Sequence, residues 1–341
     1  NASEVTLNEM SDTAGNSRRG RRMFNDSYAP AEWSFSTYAR PFKSVVDAAN
    51  GWDGSSVQGH AVEEILWAAL VGNGVFTAKA DDDSNSAWAA SQGMANDATT
   101  MTADFSASNV ASLKELDIYF IMGQGTYAAG THTVYKLDGA VVNSAGLDFD
   151  LDGITTINWS GFAKLITEEA SIPTVSISEG ASDTGNFIRN RLTTLAVTNG
   201  DGGNFAATYN LTLTGGSINF ENNITFITPE TLGVVNQPFA AVTGTRNIGG
   251  SFTCYLGNHT AGSADLFEDL IESTTSITND FNLVFTVGGA TAPKIAITLP
   301  TCHLEVPTHS IEDVISLETT FHALPSTIDG ADEASIVYTG A

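Results

Sequence analysis

Residues 118–162 read like a diverged copy of residues 283–324, and that self-similarity limits the folds open to the chain more than any other feature. In the first stretch Asp117-Ile-Tyr-Phe-Ile-Met-Gly123 leads through Val134-Tyr-Lys-Leu137 to Asp148-Phe-Asp-Leu-Asp152 and Ile157-Asn-Trp159-Ser-Gly-Phe162. In the second, Asn282-Leu-Val-Phe-Thr-Val-Gly288 precedes Ala296-Ile-Thr-Leu299, Ser310-Ile-Glu-Asp-Val314 and Thr319-Thr-Phe321-His-Ala-Leu324. Upstream, Ser34-Phe-Ser-Thr-Tyr38 answers Ser251-Phe-Thr-Cys-Tyr255, each followed by one short helical pattern. Segments that keep their order and spacing mark a tandem duplication of one unit. The expected organisation is a first module over residues 1–165 with an insertion at about 73–112, a connecting segment over 166–204, and a second module over 205–341.

Each module is long enough to bury its own core. Only 16% of residues are charged, and Gly, Ala, Ser, Thr and Asn abound, as in sheets joined by turns. The net charge of -25 argues against tight nucleic-acid binding, because affinity for a phosphate backbone comes largely from Lys and Arg displacing counterions. It leaves room for DNA as a passenger that slides without sticking. Two cysteines, Cys254 and Cys302, make no disulfide framework. No apolar run approaches the roughly 20 residues of a membrane span, and no charged-then-apolar leader is present. The chain opens at Asn1, so a start residue or short leader is expected before it. Triplets such as Asn210-Leu-Thr212 and Asn223-Ile-Thr225 read as ordinary strand and turn residues.

The periodicity predicts a mainly β fold with one short helix per module. In the second module, residues 205–214 and 217–227 read as strands around a hairpin turn at Gly215-Gly216. Residues 239–242 and 248–256 read as further strands, the latter with Phe252 and Cys254 on one face and Thr253 and Tyr255 on the other. A helix is expected over 263–271 with Leu266, Phe267, Leu270 and Ile271 buried. Its counterpart over 61–70 buries Ile65, Leu66, Ala69 and Leu70, extended by Trp67. The insertion holds Trp88, Met94, Met101 and Phe105 and reads as a packed contact arm. Residues 172–178 in the connecting segment read as a strand, and 199–203 as a flexible turn.

Asp148-Phe-Asp-Leu-Asp152-Gly153 resembles the opening of a calcium loop, but Trp159 stands where the closing bidentate Glu belongs. A strand with Phe149, Leu151, Ile157 and Trp159 on one face and the acids on the other is favoured. The same parity puts Ile311, Ile315, Leu317 and Phe321 inward and Glu312 and Glu318 outward. Cys254, His259, Cys302 and His303 do not make a zinc site, because neighbours on a strand face opposite sides and no paired Cys-x-x-Cys spacing occurs. No nucleophile elbow, phosphate loop or metalloprotease helix is present, so the expectation is a protein that is no enzyme and needs no metal or cofactor. The basic run Arg18-Arg19-Gly20-Arg21-Arg22 is either a contact for a carboxylate-rich neighbouring subunit or a solvated arm.

The second module resembles the tail tube proteins of long-tailed bacteriophages. The residues that carry this are Gly216-Ser-Ile-Asn-Phe-Glu-Asn-Asn-Ile-Thr-Phe-Ile-Thr-Pro-Glu-Thr-Leu-Gly233, Thr243-Gly-Thr-Arg-Asn-Ile-Gly-Gly-Ser-Phe-Thr-Cys-Tyr-Leu256, the helix after it, and Pro307-Thr-His-Ser-Ile-Glu-Asp-Val-Ile-Ser-Leu317. The resemblance implies β-sandwich or half-barrel modules whose sheets join a shared inner β-barrel. It implies rings stacked into a tube that guides double-stranded DNA, holds a tape-measure protein before ejection, belongs to the virion and is assembled in the bacterial cytoplasm. Two modules per chain imply homotrimeric, pseudo-hexameric rings, with a homohexamer as the alternative, and a non-contractile tail. With about four strands per module, about 24 strands at ~4.8 Å spacing and ~45° tilt close a backbone circle roughly 50 Å wide. Candidate acids for the lumen are Asp148, Asp150, Asp152, Glu312 and Glu318. Candidate contacts between subunits are Arg18, Arg19, Arg21, Arg22, Trp88 and Phe105. The competing reading is a secreted or cell-surface β-sandwich adhesin that binds glycans.

Overall fold

The computed structural model describes residues 3–9, 21–43, 58–72, 74–77, 87–88, 93–105, 113–123, 132–170, 187–200, 208–227, 238, 240–272, 280–311, 314–328 and 330–340. β1 (Ser3–Glu9) and β2 (Arg21–Tyr28) form a separate hairpin that leads into β3 (Ala31–Tyr38). β4 (Pro41–Lys43) and β5 (Gly59–Ala61) pair ahead of helix α1 (Glu64–Val71). The insertion contributes β6 (Phe76–Thr77), β7 (Ala87–Trp88), β8 (Met94–Asn96) and β9 (Thr100–Asp104). Then come β10 (Leu116–Gly123), the long β11 (His132–Phe149), β12 (Thr156–Ala163) and β13 (Leu165–Glu169). The second half runs β14 (Thr194–Asn199), β15 (Thr208–Asn210), β16 (Leu213–Glu221), β17 (Thr225–Ile227), β18 (Ala240–Val242), β19 (Asn247–Tyr255), helix α2 (Ser263–Glu272), β20 (Phe281–Val287), β21 (Lys294–Leu304), β22 (Thr308–Ile311), β23 (Ile315–Ala323) and β24 (Ser335–Thr339).

Sixteen of these strands belong to one antiparallel sheet with the path β15-β14-β20-β21-β23-β19-β16-β11-β12-β3. β16 sits between β11 and β19, with Ile218 opposite Leu147 on one side and Gly250 on the other, so hydrogen bonding runs unbroken across the expected module boundary. The two halves are wired alike. β10 and β13 flank the first part of β11 as β20 and β24 flank β21, with Ile118 opposite Leu137 and Leu283 opposite Leu299. β12 joins the end of β11 to β3, as β23 joins β22 to β19.

One core serves both halves. α1 is buried on nearly every side because Glu64-Ile-Leu-Trp-Ala-Ala-Leu-Val71 offers almost no polar face. Its Trp67 meets Trp159 edge-on at 4.9 Å and Phe220 at 5.6 Å, while Phe105 stacks on Phe220. Phe149 of β11 stacks on Phe285 of β20 at 5.7 Å, tying the halves together. Removing a buried aromatic such as Trp67 costs about 3–5 kcal/mol.

Several expectations need correction. Gly215-Gly216 makes no hairpin turn; both lie inside β16, where a Cβ on Gly216 would stand 2.6 Å from the Ser251 carbonyl oxygen. These glycines, with Gly250 on the facing strand, permit close backbone approach next to a register shift between Leu213 and Gly215. Strands at both ends of the connecting segment join the sheet, β13 pairing with β11 and β14 with β20; its expected strand at 172–178 lies outside the described residues. The insertion joins the subunit's own sheet, where β9 pairs with β24. Ile65 and Ile271 are exposed, each on the side of its helix that the described residues leave open. Leu151 and Ile315 are also exposed: β11 ends at Phe149, which turns 150–153 into a loop, and Ile315 opens β23 at the sheet's rim.

Candidate conduit face and assembly surfaces

Strand alternation turns one side of β3, β12, residues 141–149 of β11, β16, β19 and β23 to the core, and the described residues leave most of the other side uncovered, Phe162 meeting Phe226 at one end. The core side holds Trp33, Ile157, Trp159, Leu147, Ile218, Phe220, Phe252, Cys254, Leu317 and Phe321, all buried. The opposite side carries small polar groups in rows across the strands. One row runs Ser36, Asn158, Gly146, Asn219, Gly249, His322, and the next runs Asp148, Ser217, Ser251, Thr320. The Ser36 hydroxyl donates to Asn158 Oδ1 at 2.7 Å, and the Ser144 and Ser160 hydroxyls lie 2.7 Å apart. None of these strand stretches contains a Lys or Arg. The face can hydrogen-bond water along its length, yet offers no fixed cation to a phosphate.

The candidate acids fall on or beside this face. Asp148 is exposed on β11 and accepts weakly from Asn158 Nδ2 at 3.5 Å; Glu318 is exposed on β23 opposite Thr253. Asp150 and Asp152 stand in the loop after β11, where Asp150 accepts from Asn190 Nδ2 at 3.1 Å and Asp152 lies 3.9 Å from Arg191. Glu312 lies outside the described residues. The sequence reading looked for acids and missed the Ser, Thr, Asn and Gly carpet. The signal was there, as the lack of Lys and Arg at every outward position of these strands.

Trp88 and Phe105, expected at contacts between subunits, are 4% and 1% exposed within the chain. Trp88 meets Phe76, while Phe105 lies between Phe220 and the guanidinium of Arg246, 4.6 Å from its ring. Their own subunit covers them, which leaves no surface for a neighbour. Arg21 and Arg22 open β2 opposite Glu9 and Asn8; Arg18 and Arg19 lie outside the described residues. Cys254 and Cys302 are free and buried, and burial pushes the Cys254 thiol up to about 11 and the Cys302 thiol higher still. His259 is exposed near the Asn210 carbonyl, and His303 pairs across the sheet with His322. Among the described residues no group of three His, Cys, Asp or Glu side chains is placed to hold a metal ion. No helix among them is long and apolar enough to cross a membrane.

A buried polar staple lies behind the face. Trp67 Nε1 donates to the Tyr338 hydroxyl at 2.7 Å, Tyr338 bonds Glu63, and the Arg40 amide donates to Glu63 Oε1 at 3.4 Å. Glu63 is 2% exposed, and its Oε2 has no hydrogen-bond partner. Burial raises its pKa to about 7, against the smaller lowering effect of these hydrogen bonds. It fastens β24 to the start of α1. Nearby, Arg246 and Glu333 pair at 3.1 Å with side chains 6% and 12% exposed.

Comparison with known proteins identifies the family. The chain is 28% identical over 342 residues to tail tube protein pb6 of Escherichia phage T5, an alignment covering 98% of this chain and 66% of that protein, so the chain spans a little under two thirds of its relative's length. The model of the phage tail tube protein family matches residues 66–323, well over half of the sequence and all of β10 to β23. A β-rich chain with a continuous sheet, an uncovered cation-free face and this match belongs to the phage tail tube protein family.

Proposed function

We propose that the chain is a structural subunit that polymerises as stacked rings into a hollow tail tube, with the cation-free polar face of the sheet lining the bore. The observation that carries this reading is that adjacent strands from both halves present mainly Ser, Thr, Asn, Gly and acids outward, with Tyr38, Phe162, Tyr255 and His322 among them and no Lys or Arg. DNA slides past such a wall without an electrostatic well in which to stall, because neutral hydroxyls and amides keep their water and Asp148 and Glu318 repel phosphate. Asp150 and Asp152 belong to the rim of the same wall. The like wiring of the two halves supports a duplicated module, and three chains then give pseudo-sixfold rings. With β22 continuing the row, each chain brings seven strands where the sequence suggested eight. About 21 strands at ~4.8 Å spacing and ~45° tilt close a circle roughly 45 Å wide. Inward side chains reduce this to roughly 35 Å, still ample for a duplex about 20 Å across.

On this reading β3 and β22 are the margins that neighbours complete, because among the described residues β3 pairs only with β12 and β22 only with β23. The subunit resides in the virion after assembly in the host cytoplasm, its lumen holds a tape-measure protein before ejection, and the tail is non-contractile. Arg18, Arg19, Arg21 and Arg22 reach acidic surface on a neighbour. Family membership does not favour the adhesin reading. Negative-stain microscopy of the purified chain tests the proposal: rings or tubes with three chains per ring are expected, whereas a persistent monomer at millimolar concentration refutes it.

A further inference from the structure

The junction between the two halves of the chain has a specific chemistry, and both of its sides recur, uncovered, at the outer ends of the subunit. Within the chain, the face of β20 and β21 carrying Leu283, Phe285, Val287, Ile297 and Leu299 is 0% exposed throughout. The first half helps to cover it through Phe149 on Phe285, whose other neighbour Phe321 comes from the second half, and α1 closes the adjoining β24 through the bond from Trp67 to Tyr338. The matching face of the first half, on β10 and β11, has Ile118 and Phe120 only half-buried, Met122 50% exposed and Tyr135 36% exposed. Ile118 pairs with Leu137 and Phe120 with Tyr135, as Leu283 pairs with Leu299 and Phe285 with Ile297. The same apolar surface is therefore sealed in one half and, in the other, open at its Met122 and Tyr135 end, while Leu137 is buried and Phe120 packs on Phe35.

The helices show the reciprocal imbalance. Leu66-Trp67 and Leu70-Val71 of α1 correspond to Leu266-Phe267 and Leu270-Ile271 of α2. Trp67 is 0% and Val71 1% exposed, sealed by Tyr338 and by β9 of the insertion. Phe267 is half-buried against His309, and Ile271 is 50% exposed. One subunit thus ends in the outer-sheet side of the junction without its helix side, and in the helix side without its outer-sheet side. Two different surfaces that fit each other form a head-to-tail interface, which closes into a ring when the rotation permits.

We propose that the β10–β11 face around Met122 and Tyr135 is the seat for α2 of a second copy of this chain, around Phe267 and Ile271, after the pattern by which β11 already packs on β20 and α1 on β24 inside the subunit. This rests on the ring reading above and adds to it the surfaces that select the lateral neighbour. The intramolecular junction is the template, and its distances are those expected between subunits.

Complementation tests this. Met122→Glu/Tyr135→Glu blocks one side and Ile271→Glu the other, at exposed positions that leave the core intact. Each variant alone is expected to keep the wild-type melting curve and to lose at least tenfold in assembled fraction by light scattering. An equimolar mixture is expected to give dimers and nothing larger, because one intact interface remains per mixed pair. Normal rings from either variant, or a mixture of folded variants that stays monomeric where wild type assembles, overturns the proposal. As a second measurement, Met122→Cys/Ile271→Cys treated with a short bismaleimide should cross-link between chains, since native Cys254 and Cys302 are buried and out of reach; absence of cross-links in assembled protein also overturns it. If wild type itself never assembles, the ring reading falls with it, whereas assembly that survives both blocks sinks the lateral seat alone.

Discussion

Replacing Glu63 with Gln should make the subunit's stability markedly less sensitive to alkali. In the folded chain the Glu63 carboxyl is buried with one oxygen lacking a hydrogen bond, and its pKa stands at about 7 in place of 4.5. The folded state therefore holds this proton more tightly than the unfolded state does. The stabilisation from that proton is complete below pH 4.5, declines as the unfolded chain ionises, and is gone once the pH passes about 7. At about 1.4 kcal/mol per pKa unit the loss comes to about 3 kcal/mol, undiscounted because solvent does not reach the group. Gln presents a similar shape and accepts from Arg40 and Tyr338, but does not ionise. Unfolding free energies from urea titrations of the two soluble subunits, taken every half unit from pH 4.5 to 8, isolate the effect because the other carboxylates cancel in the difference. The variant should gain about 3 kcal/mol on wild type across that window. A difference flat to within about 0.5 kcal/mol, or one that grows as the pH falls, refutes the argument that burial governs this carboxyl.

Glu333→Gln should destabilise the subunit by about 3 kcal/mol, because it leaves the buried Arg246 guanidinium without its countercharge; the midpoint of chemical denaturation measures it. Gly250→Ala should prevent folding of the β16–β19 pair, since a Cβ there would lie 1.9 Å from the Ser217 carbonyl oxygen, and loss of the cooperative melt by circular dichroism would show it. Asn219→Lys should turn a non-binding bore into one that retains double-stranded DNA at low salt, with retention falling steeply as salt rises; tubes that still release DNA would count against the assignment of that face.

Much of the fold was readable wherever local pattern and burial agree. β19 was legible because Phe252 and Cys254 alternate with Thr253 and Tyr255, and structure buries the first pair. α2 was legible because Leu266 and Leu270 recur at helical spacing beside acids. Gly215-Gly216 misled because a glycine pair serves equally for a turn and for tight strand packing, and only the partner strand decides. Trp88 and Phe105 misled for a related reason: aromatic residues in a long insertion show that something is buried, not whether the cover comes from the same chain. The candidate face was half legible. Its acids stood out singly, whereas its neutral carpet emerges only when strands far apart in sequence are laid side by side.

The pairing of β9 with β24 sets Thr100 against Thr339 and Asp104 against Ser335, so the sheet closes on partners separated by more than half the chain. Bridging so wide a gap makes folding slow and all-or-none, because loop entropy is spent before the contacts repay it. No nascent fragment short of residue 339 can seat Tyr338 beneath α1. A subunit clipped ahead of β24 would therefore lose both the β9 pairing and the anchor of α1, and with them the cooperative core.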